Sequence, residues 1–421
     1  MRMDINTGLL TALATYWALL MLLWTMGNGL LIFLYRHDLQ RLCFEPVLRH
    51  PILIIESDDW GAGPLSQATA LREIADVLGQ HRDATGRPPR FNLALVLAVP
   101  DGAAIRAHGA YRRICLDDPL FESVLSALRD GQSRGVFALQ LHGIEHYWPD
   151  ALMASDDTQV KDWLAQAAPA TTERLPAHLQ SRWVNATSLP STPHSAAAIR
   201  AAVAEEVHAY VRIFGVPPKV VVPPTFVWTR ETELAWADQG LECIVTPGWR
   251  YTFRNVQGLP AGDEGPIVNG DRAGRLIYLA RTDYFEPARG RDAAHALRVL
   301  GRALAEGRPC LLENHRDNFI NDPQMRQHSL VELDKVYREA LAQHADLRFL
   351  SSWELGRILR DRDPQWLITS FPERLPFLWE RLRHAGRLWK LMALTGLAAI
   401  AGLIVRLFGR SSAGVTGRCN L

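Results

Sequence analysis

The 421-residue chain is poor in cysteine: Cys43, Cys115, Cys243, Cys310 and Cys419 are far apart and form no C-x-x-C pair. That excludes a disulfide framework and a thiolate zinc site. An excess of one charge is missing too. Lys and Arg number 46 against 45 Asp and Glu, a net charge of +1, so there is no global field of the kind that gathers phosphates onto a nucleic-acid binder. No G-x-G-x-x-G or Walker-type loop occurs, which leaves a nucleotide cofactor without support. Low complexity and internal repeats are also absent. With 48% hydrophobic and 22% charged residues, the composition is that of a folded chain of two or three domains, or of one large α/β domain with appendages.

Long apolar runs, by contrast, are present. No charged residue occurs from Gly8 to Tyr35, and roughly 20 apolar residues already span a bilayer core as helix. A transmembrane anchor is expected here. A cleaved signal peptide would have a shorter core, about 7 to 15 residues, and an A-x-A-like site after it. A weaker run, Leu391 to Val405, lies between Arg387 and Lys390 on one side and Arg406 and Arg410 on the other. It predicts a C-terminal hydrophobic helix that spans with its flanking cations snorkelling outward, or else lies flat at the interface. Arg36, Arg41 and Arg49 follow the first run, and Arg374, Arg381, Arg383, Arg387 and Lys390 precede the second. By the positive-inside rule the middle of the chain faces the cytoplasm at a bacterial inner membrane, with both termini outside if both runs span. The expected division is an anchor and flank over 1–45, a catalytic domain over 46–365, and a basic linker with the C-terminal segment over 366–421.

Between residues 50 and 365, short β-rich apolar runs alternate with helical patterns, the signature of a parallel α/β architecture. Strands are predicted at Ile52–Ile55, Phe91–Val96, Val136–Leu141, Lys219–Val222, Cys243–Thr246, Leu276–Leu279, Cys310–Leu312 and Leu347–Leu350. Helices are predicted at Leu65–Gln80, Leu120–Asp130, Ser195–Phe214, Arg230–Gln239, Ala293–Glu306 and Ser329–His344. The fold class this implies is a distorted (β/α) barrel of about seven or eight parallel strands, although a doubly wound sheet has the same pattern. Residues 153–193 contain no strand pattern and read as an insertion over one face, a lid or a substrate-binding element.

In βα architectures the C-terminal strand ends build the site, and three of them are unusually polar. Ile55-Glu56-Ser57-Asp58-Asp59-Trp60-Gly61 sets two adjacent carboxylates after a buried strand. Neighbouring carboxylates repel and favour a cation between them, although an Asx-type turn or a helix cap also uses an Asp. His142 and His146 are four apart, so on a helical turn both rings project from one face and can share one ion. Two surface histidines would leave the same pattern. His315, in Leu312-Glu313-Asn314-His315, follows a strand, where a general acid is required, or serves as a structural donor.

Together these features resemble the polysaccharide deacetylase family, the NodB-homology domain of carbohydrate esterases. The matching residues are Ser57-Asp58-Asp59-Trp60-Gly61, His142 to His146, Val222-Pro223-Pro224 and Leu312-Glu313-Asn314-His315, in the family's order. The resemblance implies that Asp59, His142 and His146 hold one divalent metal ion, zinc being the first candidate, with a fourth position open. It implies Asp58 as general base and His315 as general acid in hydrolysis of an N-acyl amino sugar. In that family an Arg ahead of the prolines orients the base, whereas Val221 and Val222 stand there here. A late Asp orients the acid, and Asp283 is the candidate by its strand-end position, with Asp317 as rival. Trp60, Trp148, Pro224, Phe226 and Trp228 lie beside the motifs as candidate sugar-binding residues, although aromatic residues at strand ends more often only pack. The membrane anchor suggests a lipid-linked sugar substrate. Two other readings remain: a catalytically inactive carbohydrate-binding or scaffold homologue, motivated by the missing Arg, and an H-x-x-E-H zinc protease with Glu145 as base.

Overall fold

The structure, a computed structural model, describes residues 3–165 and 171–409. They fall into two units, 48–367 and 3–47 with 368–409. Arg410 and Cys419 lie outside the described residues.

The larger unit is built on a nine-stranded sheet: β1 (Leu53–Gly61), β2 (Phe91–Val96), β3 (Phe137–Leu141), β4 (Val220–Val221), β5 (Cys243–Thr246), β6 (Arg272–Ala273), β7 (Leu276–Ala280), β8 (Asp283–Tyr284) and β9 (Cys310–His315). The order across the sheet is β6-β7-β5-β4-β3-β2-β1-β9-β8. Every neighbouring pair is parallel except the β6–β7 hairpin. The crossovers carry α3 (Gln67–Leu78), α4 (Glu122–Ser133), α5 (Ala196–Phe214), α6 (Arg230–Asp238) and α7 (Ala293–Ala305); α8 (Pro323–Gln343) and α9 (Ser352–Asp361) follow β9. Because helices cover the sheet, central strands read as continuous apolar runs rather than alternating ones. Ile54, Ile55, Leu93, Leu95, Leu311 and Leu312 are all fully buried, each worth roughly 1.5–3 kcal/mol of transfer from water.

The sheet is curled but not closed, with β6 and β8 at its edges, so the expected barrel is met in part, as a half-barrel of nine strands with one antiparallel pair. The predicted last strand, Leu347–Leu350, is irregular and meets β1's approach only through a single Arg348–Ile52 bridge. Two of the predicted strands are longer than their apolar runs. β1 continues through Glu56 to Gly61 and β9 through Glu313 to His315, so the polar groups sit inside strands rather than after them. Of the predicted helices, α8 starts six residues early, where the Asp322 side chain accepts from the Met325 N–H and Pro323 opens the first turn. The described part of the segment 153–193 forms the helix Thr158–Leu164 and short 3₁₀ turns and buries Arg182 and Trp183. Against the expectation of no strand it ends in a small antiparallel pair, Val184–Asn185 with Thr192–Pro193.

The smaller unit holds α1 (Met3–Leu34), α2 (Arg36–Phe44), α10 (Phe371–Arg383), α11 (Gly386–Leu394) and α12 (Leu397–Phe408). Leu9–Leu34 is long and apolar enough to cross a membrane. The C-terminal hydrophobic run is not the single helix expected. It breaks at Thr395–Gly396, where Gly396 takes φ 81°, and the two halves are bent by 95°. The left-handed turn at Gly396 ends the first helix before the second begins.

Candidate metal centre with flanking base and acid

β1 pairs with β2 from Ile55–Phe91 to Ser57–Leu93, loses register, and resumes at Trp60–Leu95. Asp58 and Asp59 occupy the interruption, and Asp59 takes φ 72°, a left-handed conformation that a non-glycine residue holds at a cost of about 1–3 kcal/mol. Bulges of this type re-aim side chains beside active sites. On its other edge β1 keeps register with β9, so Asp58 lies opposite His315.

Asp59 Oδ1 is 3.5 Å from Nε2 of His142 and 3.5 Å from Nε2 of His146. Two ligands at zinc's reach of about 2.0–2.1 Å and at the tetrahedral angle stand about 3.3–3.4 Å apart, so the trio is spaced to share one ion. A second observation agrees. Asp59 Oδ1 is buried and accepts no hydrogen bond among the described residues, and a buried carboxylate oxygen in that state needs a cation. His142 Nδ1 donates to the Val222 carbonyl at 2.6 Å, fixing the tautomer whose Nε2 lone pair faces Asp59. Burial pushes His146 down to about 4, leaving it neutral at pH 7, the form that ligates. Burial would lower His142 as well, but the Asp59 carboxylate outweighs it and pushes His142 up. Asp58, Glu313 and His315 form a second group whose ligand atoms lie within 4.8 Å of one another, but a cation from the chain already serves it.

That cation is Arg281, just past β7. Its guanidinium forks onto Asp58 at 2.6 and 2.8 Å and also approaches Glu313 at 3.2 Å and Glu56 at 3.4 Å. Burial would raise the Asp58 carboxyl, but the charge and hydrogen bonds of Arg281 outweigh it, so Asp58 stays ionised. Burial pushes Glu56 and Glu313 up. The fork gives Asp58 a bidentate cation although no Arg precedes Pro223. His315 Nδ1 is hydrogen-bonded to Glu286, and its Nε2 lies 3.6 Å from Glu313. Burial would lower His315; the Glu286 hydrogen bond and the Asp58, Asp59 and Glu313 carboxylates raise it to about 10. It is therefore protonated and a quarter exposed, at 26%, as a proton donor to an incoming group must be.

His142 and His146 do not lie on a helical turn. Residues 142–148 form an irregular bend, and Gly143 takes φ 99°. Glu145, between them, is fully buried and accepts from Tyr111 at 3.0 Å, Arg113 at 2.7 Å and Arg182 at 2.8 Å. A carboxylate so enclosed cannot act as a base on a substrate, which removes the protease reading.

The remaining sequence-predicted residues divide. Asp283 sits on edge strand β8 and pairs with Arg291 at 2.7 Å and His295 at 3.2 Å, whereas the carboxylate bonded to His315 Nδ1 is Glu286. Asp317 opens the short helix Asp317–Ile320. Trp60 and Trp228 are fully buried, their indole N–H groups bonded to Ser57 and Glu233, and Pro224 is buried. None of the three presents a face to a ligand. Phe226 is half-buried with Arg281 over its ring at 5.5 Å, and Trp148 stacks on His194 at 3.8 Å. Two exposed aromatic residues were missed by sequence reasoning: Tyr284, on β8, and Trp249, just past β5. Arg316, also missed, donates to the Asp59 carbonyl and holds the bulge. For Arg281 and Glu286 the available signal was a charged residue at or just past a strand end.

No protein-family model matches the chain, and no curated protein matches it. Solved structures do. A 4-alpha-glucanotransferase from Thermococcus litoralis is 12% identical over 73% of this chain, which spans 40% of that protein, with a TM-score of 0.39. A family 4 carbohydrate esterase from Streptomyces lividans is 12% identical, covering 73% of this chain and 96% of its own, TM-score 0.34. A peptidoglycan deacetylase from Bacillus subtilis is 10% identical, covering 75% and 95%, TM-score 0.36. Similarity at this level leaves the chemistry to be read from the side chains.

Proposed function

We propose that this chain is a metal-dependent hydrolase that removes an N-acyl group, acetyl first among candidates, from an amino sugar. One observation carries the reading: Asp59, His142 and His146 converge on one point while Asp58, next on the chain, and His315, on the neighbouring strand, flank it. A divalent ion held by the three ligands, zinc being the first candidate, would polarise the acyl oxygen and ease ionisation of the attacking water. The chain's own residues do the rest. Asp58, kept ionised and oriented by the Arg281 fork, accepts the water's proton. His315, protonated and aimed by Glu286, delivers a proton to the amine nitrogen, which leaves only once protonated. The inactive-homologue reading was motivated by an absent base-orienting Arg, and Arg281 removes that motive.

The test uses the full chain in detergent: metal content by elemental analysis, and release of acetate from N-acetylated amino sugars, for the unaltered protein and for the His142→Ala/His146→Ala pair. About one transition-metal equivalent that disappears in the double variant, together with acetate release, supports the reading. A folded protein without metal even after reconstitution would overturn it. The apolar α1 suggests further that the sugar is membrane- or lipid-linked, an intermediate of an envelope polysaccharide. Full turnover of soluble acetylated oligosaccharides with none of lipid-linked sugars would refute that part alone.

A further inference from the structure

We propose that α11 and α12 form a re-entrant wedge whose outer surface binds lipid acyl chains: it enters the bilayer from one face, reaches mid-depth against α1, and returns to the same face. This rests on the reading that α1 sits in a membrane, and it replaces the expectation of a second span.

Length is the first argument. Nine and twelve helical residues are about 14 and 18 Å long at the α-helical rise. Joined at a 95° bend, they reach about 22 Å end to end, short of a bilayer core of about 30 Å.

The second argument is the break itself. A helix interrupted in hydrocarbon frees backbone groups that water cannot satisfy, at several kcal/mol each. Here Trp24 Nε1 of α1 donates to the Thr395 carbonyl, at the break, at 2.8 Å. Trp24 precedes Leu34, the end of α1, by a stretch of about 15 Å, half the thickness of the core. The clamp therefore sets the apex at mid-depth. On the same face of α1, Asn28 and Leu31 are buried, and Asn28 donates to the Trp24 carbonyl at 2.8 Å.

The third argument is what the wedge exposes. Leu394, at the apex, is 84% exposed, and Ile400, Leu403, Leu407 and Phe408 continue the apolar surface along α12. On the inner side Trp389 meets Trp379 of α10 edge to face at 5.3 Å. Arg387 stands at the entry, where a long cation reaches anionic headgroups, and Lys390, exposed one turn before the apex, snorkels back toward that surface.

The experiment uses the full chain with Cys43, Cys115 and Cys419 changed to Ser. Single cysteines from Asn6→Cys, Arg387→Cys and Gly409→Cys are labelled with a membrane-impermeant maleimide in intact cells and in inverted membranes. A bimane on Leu394→Cys is quenched by nitroxides placed either on the lipid headgroup or deep in the acyl chain. Expected are labelling of positions 387 and 409 from one side and of position 6 from the other, with quenching several-fold stronger by the deep nitroxide. Trp24→Phe, which keeps an aromatic ring and removes the donor, should move the position-394 probe toward the headgroup quencher without changing the labelling of position 6. Labelling of 387 and 409 from opposite sides would overturn the wedge, as would a position-394 probe that neither nitroxide quenches. Position 6 on the same side as the others would instead overturn the membrane reading beneath it.

Discussion

Asp58 and Asp59 are adjacent on one strand, both buried, and their charges are met in opposite ways. Asp58 lies in the fork of Arg281, with two hydrogen bonds and a cation supplied by the chain. Asp59 faces two imidazole nitrogens at 3.5 Å and keeps an oxygen with no donor. A buried carboxylate with a permanent counter-ion is fixed in charge and can wait for a proton. One faced by imidazoles, which are charged only when protonated, can instead take its counter-charge from a bound ion. The difference supports the two roles, base and ligand, that sequence alone left to resemblance.

Substitutions that exchange these conditions should have the largest effects. Asp58→Asn removes the proton acceptor but keeps the shape, and activity should fall by about 10²–10⁴ while bound metal is retained, read by acetate release beside elemental analysis. Asp59→Asn should lose both, and retention of full metal content in that variant would erase the distinction. Arg281→Gln leaves Glu56, Asp58 and Glu313 buried together without a cation, and should cost about 3–5 kcal/mol in denaturant unfolding. Arg281→Lys should recover much of that stability and little activity, since it keeps the charge and loses the fork.

Glu286→Gln probes the acid side. His315 is raised to about 10, so as an acid it serves below that value and is lost as pH rises through it. A metal on Asp59 cancels one of the raising charges, which places the alkaline limit of the loaded protein somewhat lower. The Gln side chain can accept only as a neutral amide, so the charge-assisted hydrogen bond that raises His315 most is lost. The alkaline limb of kcat/KM should then move to lower pH, with a rate loss of about 10–100-fold at neutral pH. An unmoved limb would assign the proton to another group. Asp283→Asn is the smallest of the series. Its partners are Arg291 and His295 on the sheet edge, so stability should stay within about 0.5 kcal/mol and the pH profile should not shift.

What was readable in the sequence follows from what was local. Asp59 lies on a buried strand and His142 and His146 follow one, and it was the resemblance to a family's motifs, not spacing alone, that grouped them. Phe91–Val96 and Cys243–Thr246 have the predicted bounds because apolar content and strand pairing end together there. β1 runs past its apolar run because pairing with β9 continues through Glu56, Ser57 and Asp58, where satisfied polar groups replace hydrophobic ones. Arg281 was unreadable as Asp58's partner because 223 residues separate them and four strands stand between β7 and β1 in the sheet. Arg281 arrives because the chain passes from β7 directly to β8, which pairs with β9 beside β1. Asp283 was chosen for its strand-end position, but a two-residue edge strand turns it toward Arg291, while Glu286, just beyond, faces His315. The C-terminal run looked like one helix because apolar composition does not register the left-handed turn that Gly396 permits.

The interruption in β1 also bears on how the site fails under stress. Because Asp58 and Asp59 share a peptide bond, their Cα atoms stay about 3.8 Å apart whatever the packing does. His315 has no such tether and keeps its place only through the pairing of β9 with β1 and the grip of Glu286. Warming or mild denaturant therefore loosens the link between base and acid before the link between base and metal ligand. In the proposed reaction, proton delivery by His315, rather than water activation by Asp58, is the step whose rate should fade first.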